Sequence, residues 1–209
     1  MCVKVIGYSE RGMVNAICDD LGRRPTAAVS EFLSWISFPF QREAPDFSHI
    51  HETMLLVEQS FSDYGDLDLL VLLDQHDGRK QAVLIEAKVS NDTASWLSVE
   101  DRWDEFLRLL DGGEGSTSNL FVQLHRKVRL VERLRADRDI APDRFTPRGS
   151  LGENRVVTRA ADKLQQYIRE GSVWYVALLP DDYGSLATFF ENGMVAPNVQ
   201  NTLPSWDST

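Results

Sequence analysis

Residues 65–89 have the sequence GDLDLLVLLDQHDGRKQAVLIEAKV, and this stretch decides the fold of the 209-residue chain. Two apolar runs, at 66–73 and 82–89, flank a polar stretch that contains Asp77-Gly78. This dipeptide is typical of tight hairpin turns. Each run also has the length and apolar content of a buried strand. The stretch therefore predicts an antiparallel β-hairpin.

The two predicted strands carry charged side chains on faces that are otherwise apolar. Side chains alternate between the two faces of a strand, so Asp66 and Asp68 share one face of the first strand. By the same alternation, Glu86 and Lys88 share one face of the second strand. Pairing of the strands about the predicted turn then brings Asp68 opposite Glu86 or its immediate neighbour.

Two facing carboxylates at this position predict a cation site. Opposed side chains lie roughly 4.5–5.5 Å apart at Cβ, where like charges repel. One carboxyl group takes up a proton unless a cation binds, and Mg²⁺ favours one or two carboxylates completed by water and phosphate. Lys88, on the same face as Glu86, can then contact the attacking water or the phosphate, which suits phosphodiester hydrolysis. The alternative is that these groups are surface charges at fraying strand ends.

The motif G-D-x-D, followed after 17 intervening residues by E-A-K, resembles the PD-(D/E)xK nuclease superfamily, which has the restriction-endonuclease-like fold. The resemblance implies that Asp68 and Glu86 are catalytic, metal-binding acids and that Lys88 is the catalytic lysine. It also implies the backbone carbonyl of Ala87 as a further metal ligand. Residue Leu67 stands where the motif has Pro, at a position that varies in the family.

Two further acids are candidates for the same site. Many members of this superfamily carry a glutamate on the first core helix, and Glu10 continues the apolar line of the predicted helix at 10–21. The resemblance therefore implies Glu10 as an additional catalytic and metal-binding residue. The alternative is that Glu10 only interacts with the positive end of the helix dipole. Asp66 shares the face of Asp68 and can assist it.

The rest of the chain predicts a single α/β domain over 1–209. Apolar periodicity predicts helices at about 10–21, from Pro25-Thr26 onward, at about 98–110, 119–136 and 155–170, and further strands at 52–59 and 173–179. This order predicts a mixed β-sheet in which the hairpin feeds a crossover helix to a further strand, flanked by helices. We expect a restriction-endonuclease-like core over about 9–89 and 155–179, with a helical, partly basic insertion over about 96–153.

Charge is distributed unevenly along the chain, whose formal net charge is −10. Segment 118–160 holds ten basic and five acidic residues, so it carries +5 and the remainder −15. Arg126, Arg129 and Arg133 lie on one side of the predicted helix there, and arginine is a good phosphate clamp. We predict that these three bind the nucleic-acid backbone; the alternative is a solvated helix face with internal ion pairs. The total charge excludes a protein that coats nucleic acid non-specifically.

Together these patterns predict a Mg²⁺-dependent nuclease, with Mn²⁺ as an alternative metal, acting on DNA or else on RNA in restriction, repair or anti-phage defence. The alternative from another class is a non-catalytic nuclease-like partner or regulatory subunit of a nucleic-acid-processing complex. Double-strand cleavage by one small site would favour a homodimer. No apolar run approaches the roughly 18–20 residues of a membrane span, so we expect no membrane segment. Two cysteines and no secretion signal predict a cytoplasmic protein.

Overall fold

The computed structural model describes residues 10–36, 45–88 and 98–179. Within these residues the chain forms five α-helices, one 3₁₀ turn and four strands. Their bounds are α1 Glu10–Arg23, α2 Thr26–Ser34, β1 Ile50–Ser60, the 3₁₀ turn Ser62–Tyr64, β2 Asp66–Gln75, β3 Lys80–Ala87, α3 Val99–Leu110, α4 Leu120–Ala136, α5 Arg155–Glu170 and β4 Gly171–Leu178. The predicted α/β class is confirmed.

The four strands form one mixed sheet in the order β1-β2-β3-β4. β2 pairs antiparallel with both β1 and β3, whereas β3 and β4 are parallel. Leu70 lies opposite Leu84 in the predicted hairpin, and Gly78 takes a positive φ in its turn. Parallel strands need a long crossover, which here contains α3, α4 and α5. The predicted hairpin followed by a crossover to a further strand is therefore confirmed.

Helices cover both faces of the sheet, and the alternation along β2 and β3 decides which residues each face buries. On the first face, α1 and α2 pack against alternate residues of the hairpin, among them Leu69, Val71, Val83 and Ile85. On the second face, α4 and α5 pack against Leu70, Leu72, Ala82 and Leu84. Strands that are covered on both faces are expected to be almost continuously apolar, as these two are.

Helix α4 lies directly on the sheet, although its sequence falls within the predicted helical insertion. Its residues Leu130, Val131 and Leu134 belong to the same buried cluster as Leu70 and Leu84. Its other side packs against α3 in a separate aromatic cluster, which contains Trp103, Phe106, Phe121 and Phe145. Almost the whole circumference of α4 is thereby withdrawn from solvent, which brings one charged side chain of this helix into the interior.

The segment between α4 and α5 is anchored to the 3₁₀ turn that precedes β2. The carboxylate of Asp63 accepts hydrogen bonds from the backbone nitrogens of Arg148 and Gly149, at 2.8 and 2.9 Å. The hydroxyl oxygen of Ser62 accepts one from the backbone nitrogen of Gly152 at 3.0 Å. This loop therefore lies beside the start of β2. None of the helices that the structure describes is long and apolar enough to cross a membrane.

Candidate active site

The site lies where β2 and β3 stop pairing with each other. The β2–β3 ladder ends at Leu69 and Ile85. Beyond that pair, the Oδ2 atom of Asp68 accepts a hydrogen bond from the backbone nitrogen of Ala87 at 2.8 Å. The Asp68 carboxylate thus replaces a backbone acceptor in the gap between the strands. The predicted register brings Asp68 next to Glu86 or its neighbour, and the observed contact is with that neighbour.

Glu86 is a fully buried acid, with 0% of its surface exposed. Among residues 10–36, 45–88 and 98–179, neither of its carboxylate oxygens has a hydrogen-bond partner. Burial raises the pKa of Glu86 to about 7, and the charge of Asp68 acts in the same direction. The ammonium groups of Lys127 and Lys88 oppose this rise in pKa. A buried carboxylate without hydrogen bonds is costly, so this position favours a nearby cation.

Lys127 of α4 provides one such cation. Its side chain is 0% exposed, and its Nζ lies 3.1 Å from Oε1 of Glu86. The same Nζ donates hydrogen bonds to the backbone carbonyls of Tyr64 at 2.9 Å and Asp66 at 2.7 Å. The contact with Glu86 is therefore an ion pair without hydrogen-bond alignment. Burial lowers the pKa of Lys127, and the charge of Glu86 partly counters that effect.

Lys127 lies outside the motif and was not predicted as a site residue, although its position in the sequence carries a signal. Leu120, Leu124, Val131 and Leu134 form an apolar stripe along α4, and all four are buried. Lys127 occupies the place in that stripe between Leu124 and Val131. Since residues three and four apart share one side of a helix, a lysine in this phase points at the core. A buried lysine needs a buried acid, which Glu86 supplies.

Gly65, the glycine of the G-D-x-D motif, shapes the backbone beneath Lys127. Its φ is +74°, in the left-handed region that favours glycine. A Cβ at this position would lie 3.5 Å from the Nζ of Lys127. The turn at Gly65 therefore presents the carbonyls of Tyr64 and Asp66 to the ammonium group. Asp66 contributes this carbonyl while its side chain is exposed, and the proposed assistance of its carboxylate stays a prediction.

Lys88 is the last described residue of the motif, and it is 8% exposed. Its backbone nitrogen donates to the carbonyl of Leu178 at 2.9 Å, which extends the β3–β4 pairing. The Lys88 ammonium is near enough to lower the pKa of Glu86. The structure thus brings Asp68, Glu86, Ala87, Lys88 and Lys127 together at one end of the hairpin.

Glu10 is the first residue of α1, and its side chain lies outside what the structure describes. Helix α1 packs through Val14 and Leu21 on the face of the sheet that carries Leu69 and Val71. Glu86 shares the opposite face of the sheet with Leu84, two residues earlier on β3. The participation of Glu10 in the site therefore stays a prediction.

The three arginines predicted to bind nucleic acid lie on α4 and contact the segment that follows it. The contacts are Arg126 Nε to the Phe145 carbonyl (3.0 Å), Arg129 to the carboxylates of Glu132 and Asp143 (2.6 and 3.1 Å), and Arg133 to the carboxylate of Asp139 (3.0 Å). Internal ion pairs of this kind are the alternative that the sequence left open. Binding of nucleic acid by these arginines stays a prediction.

The donor atoms of the site fit a hard cation with few protein ligands. Within the described parts of the chain, no group of three or more His, Cys, Asp or Glu residues is arranged to hold a metal. Asp68 and Glu86 nevertheless supply two carboxylates, and the Glu86 oxygens have no hydrogen bonds to lose. Mg²⁺ is commonly held by one or two carboxylates, with water and substrate phosphate completing its shell.

Comparison with known proteins adds no relative. No family model, no curated protein and no solved structure matches the chain. Function is therefore inferred from the residues of the site and from the motif that they form.

Proposed function

We propose that this protein is a Mg²⁺-dependent nuclease, able to use Mn²⁺, that hydrolyses phosphodiester bonds in DNA during restriction, repair or anti-phage defence. The observation that carries the proposal is the environment of Glu86. This acid is fully buried, has no hydrogen bond to either oxygen within the described structure, and lies beside Asp68 and Lys88 where two strands separate. The resemblance to the motif implies this arrangement: two carboxylates and a lysine on neighbouring strands, at positions that face the same side of the sheet.

Each residue has a defined task in this proposal. Asp68, Glu86 and the carbonyl of Ala87 would hold the ion, and the ion when bound supplies a Lewis acid that polarises the phosphate. Asp68 is already fixed by its hydrogen bond to the Ala87 nitrogen, so its orientation requires no reorganisation. Lys88 places an ammonium beside the phosphate, where it stabilises developing negative charge and orients the attacking water.

The basic segment would hold the phosphate backbone of the substrate. Arg126, Arg129 and Arg133 keep this role in the proposal, although their guanidinium groups already contact the loop after α4. The proposal therefore adds the exposed arginines of this segment whose guanidinium groups form neither an ion pair nor a hydrogen bond with the described part of the chain: Arg135, Arg138, Arg148, Arg155 and Arg159. Arg148 belongs to the loop that Asp63 anchors next to the start of β2.

A cleavage assay with and without Mg²⁺ tests the proposed activity. Wild-type protein is expected to nick or cut duplex DNA only with the metal, and Glu86→Ala and Lys88→Ala are expected to lose that activity. Glu114→Ala, which changes an exposed loop carboxylate, is the matched control. Single-stranded DNA and RNA substrates in the same assay identify the preferred nucleic acid. Cleavage that survives both site substitutions contradicts the proposal.

One observation favours the second candidate, a non-catalytic nuclease-like partner or regulatory subunit. The Lys127 ammonium lies 3.1 Å from Oε1 of Glu86 and supplies a cation from within the chain. Glu86 then has a structural counter-charge that requires no metal. Calorimetry with Mn²⁺ separates the two candidates, because a structural ion pair gives no heat of metal binding. Absence of both metal binding and cleavage would support the second candidate.

A further inference from the structure

We propose that Lys127 is a built-in counter-charge that reserves the Oε1 side of Glu86, so that the site takes a single divalent cation and binds it weakly before substrate arrives. This inference rests on the proposed nuclease function, because it concerns the same metal site. It assigns a role to a residue that the motif does not contain.

The contacts of Lys127 leave its ammonium group no freedom to withdraw. Two carbonyls, of Tyr64 and Asp66, accept hydrogen bonds from Nζ, and Oε1 of Glu86 lies on a third side at 3.1 Å. The two carbonyls take two of the three ammonium donors, and Oε1 of Glu86 holds the group electrostatically from the third side. The side chain is 0% exposed, and water does not compete for it.

The backbone around Lys127 fixes the ammonium in this position. Gly65 passes beneath it in a left-handed conformation, where a Cβ would lie 3.5 Å from Nζ. Neighbouring residues on the same helix, Val128, Leu130 and Val131, are buried as well. A second cation on the Oε1 side would have to displace a side chain that is packed into the core.

Lys127 already cancels part of the negative charge of the site without a metal. Asp68 and Glu86 contribute two negative charges, and the Lys127 ammonium lies 3.1 Å from Oε1 of Glu86. A divalent cation is therefore attracted less strongly than it would be by the two carboxylates alone, because the ammonium repels it. Substrate phosphates supply the missing negative charge, so metal and substrate are expected to bind cooperatively. Glu86 retains Oε2 for the ion, because Lys127 contacts Oε1 and Oε2 has no hydrogen bond in the described structure.

Calorimetry on the full-length protein at several pH values from ~7 to ~8.5 tests this inference with Mn²⁺ alone as the probe. Affinities are compared after extrapolation to high pH, because Lys127 lowers the pKa of Glu86 and a proton on Glu86 competes with the ion. Wild type is expected to bind one ion per chain. Lys127→Gln retains N–H donors for the two carbonyls but removes the charge, and it is expected to bind Mn²⁺ roughly tenfold more tightly or better. Lys127→Arg retains the charge and should gain no affinity. Lys80→Gln, which removes the ion pair with Asp74 at the far end of β3, is the matched lysine control.

Different results separate this inference from the proposed function. Equal Mn²⁺ affinity of wild type and Lys127→Gln overturns the role of Lys127 but leaves the nuclease proposal standing, provided that Glu86→Gln abolishes binding. Binding of two ions per wild-type chain also overturns the inference. This measurement uses the wild-type protein alone, so it does not depend on whether a variant folds. No Mn²⁺ binding by wild type or any variant, together with absence of cleavage, overturns both proposals.

Discussion

The Oδ2 atom of Asp68 accepts a hydrogen bond at 2.8 Å from the backbone nitrogen of Ala87, which lies two residues beyond Ile85 of the last β2–β3 pair. This contact gives Asp68 a structural task, because Ala87 is fully buried and its N–H needs an acceptor. The proposed metal site gives the same carboxylate a second task. The two tasks need different properties of the side chain: the first needs an acceptor atom, and the second needs a negative charge.

Substitutions at Asp68 separate these two tasks. Asp68→Asn retains an acceptor for the Ala87 N–H, so its free energy of unfolding is expected to stay within about 1 kcal/mol of wild type. Asp68→Ala leaves that N–H unpaired and is expected to lose about 1–3 kcal/mol. Both variants are expected to lose Mg²⁺-dependent cleavage. Urea denaturation and the cleavage assay check the two effects, and wild-type cleavage by Asp68→Asn would exclude Asp68 as a required ligand.

The sequence predicts the hairpin and most helix bounds because those signals are local. Alternating faces and the Asp77-Gly78 turn define β2 and β3, whose Leu70–Leu84 pairing agrees with the predicted register. The helix predicted at about 98–110 begins directly after Ser98, whose hydroxyl oxygen accepts a hydrogen bond from the backbone nitrogen of Asp101 in a capping box. Each of these signals lies within a few residues of the structure that it determines.

The contacts that complete the site are long-range, and the sequence gives them little signal. Lys127 meets carbonyls of Tyr64 and Asp66 more than sixty residues earlier in the chain, and only its phase on α4 marks it as buried. The arginines of α4 were predicted from one face of a helix. The partners of Arg129 include Asp143, which belongs to the following loop and comes within reach only when that loop folds back.

Gly171 is the first residue of β4 and follows α5 directly, so its substitution tests the close approach of β4 to β3 at this point. A Cβ there would collide with the backbone carbonyl oxygen of Lys80, because β4 begins directly beside β3. Gly171→Ala must shift one of these backbones, so we expect it to lower the free energy of unfolding by about 1–3 kcal/mol. Chemical denaturation measures the change. Gly22→Ala is the control: it lies in α1 with nothing within 4 Å of its Cβ and should be neutral or stabilising by up to about 1 kcal/mol.

Stability of the metal-free protein is expected to depend on pH through Glu86. Its pKa is raised by burial from 4.5 to about 7, so between these values the folded state holds a proton that the unfolded chain has released. The free energy of unfolding therefore falls as pH rises through this window. Glu86→Gln does not titrate, so its stability relative to wild type should increase by on the order of 2–3 kcal/mol from pH ~4.5 to ~7.

Thermal or urea denaturation of both proteins across this pH range measures that difference. The range stops near pH ~7 because the lowered pKa of Lys127 acts with the opposite sign at higher pH. Glu114→Gln, an exposed substitution of the same kind, is the matched control for the change in net charge. A difference between Glu86→Gln and wild type that stays constant or shrinks with rising pH would contradict the assigned role of burial.

The arginines of the basic segment are expected to separate into two groups. Arg155 and Arg159 are exposed, lie one helical turn apart on α5 and form no ion pair with the residues that the structure describes. Replacing both by Ala should change the free energy of unfolding by less than about 0.5 kcal/mol. Arg129 is 17% exposed and contacts Glu132 and Asp143, so Arg129→Ala should lower stability by about 1–3 kcal/mol.

DNA binding without divalent metal, measured at several salt concentrations, completes this comparison. Each phosphate contact contributes about 0.9 to the slope of log affinity against log salt concentration. If Arg155 and Arg159 contact the phosphate backbone of DNA, the double variant loses affinity for every DNA sequence. The magnitude of its slope of log affinity against log salt concentration then falls by ~2. An unchanged slope in this variant, with normal stability, would exclude the exposed start of α5 from the interface. Arg129→Ala is measured at temperatures where that variant remains folded. A reduced slope would then support the predicted contact of α4 with DNA, because lost stability alone does not alter the number of phosphate contacts.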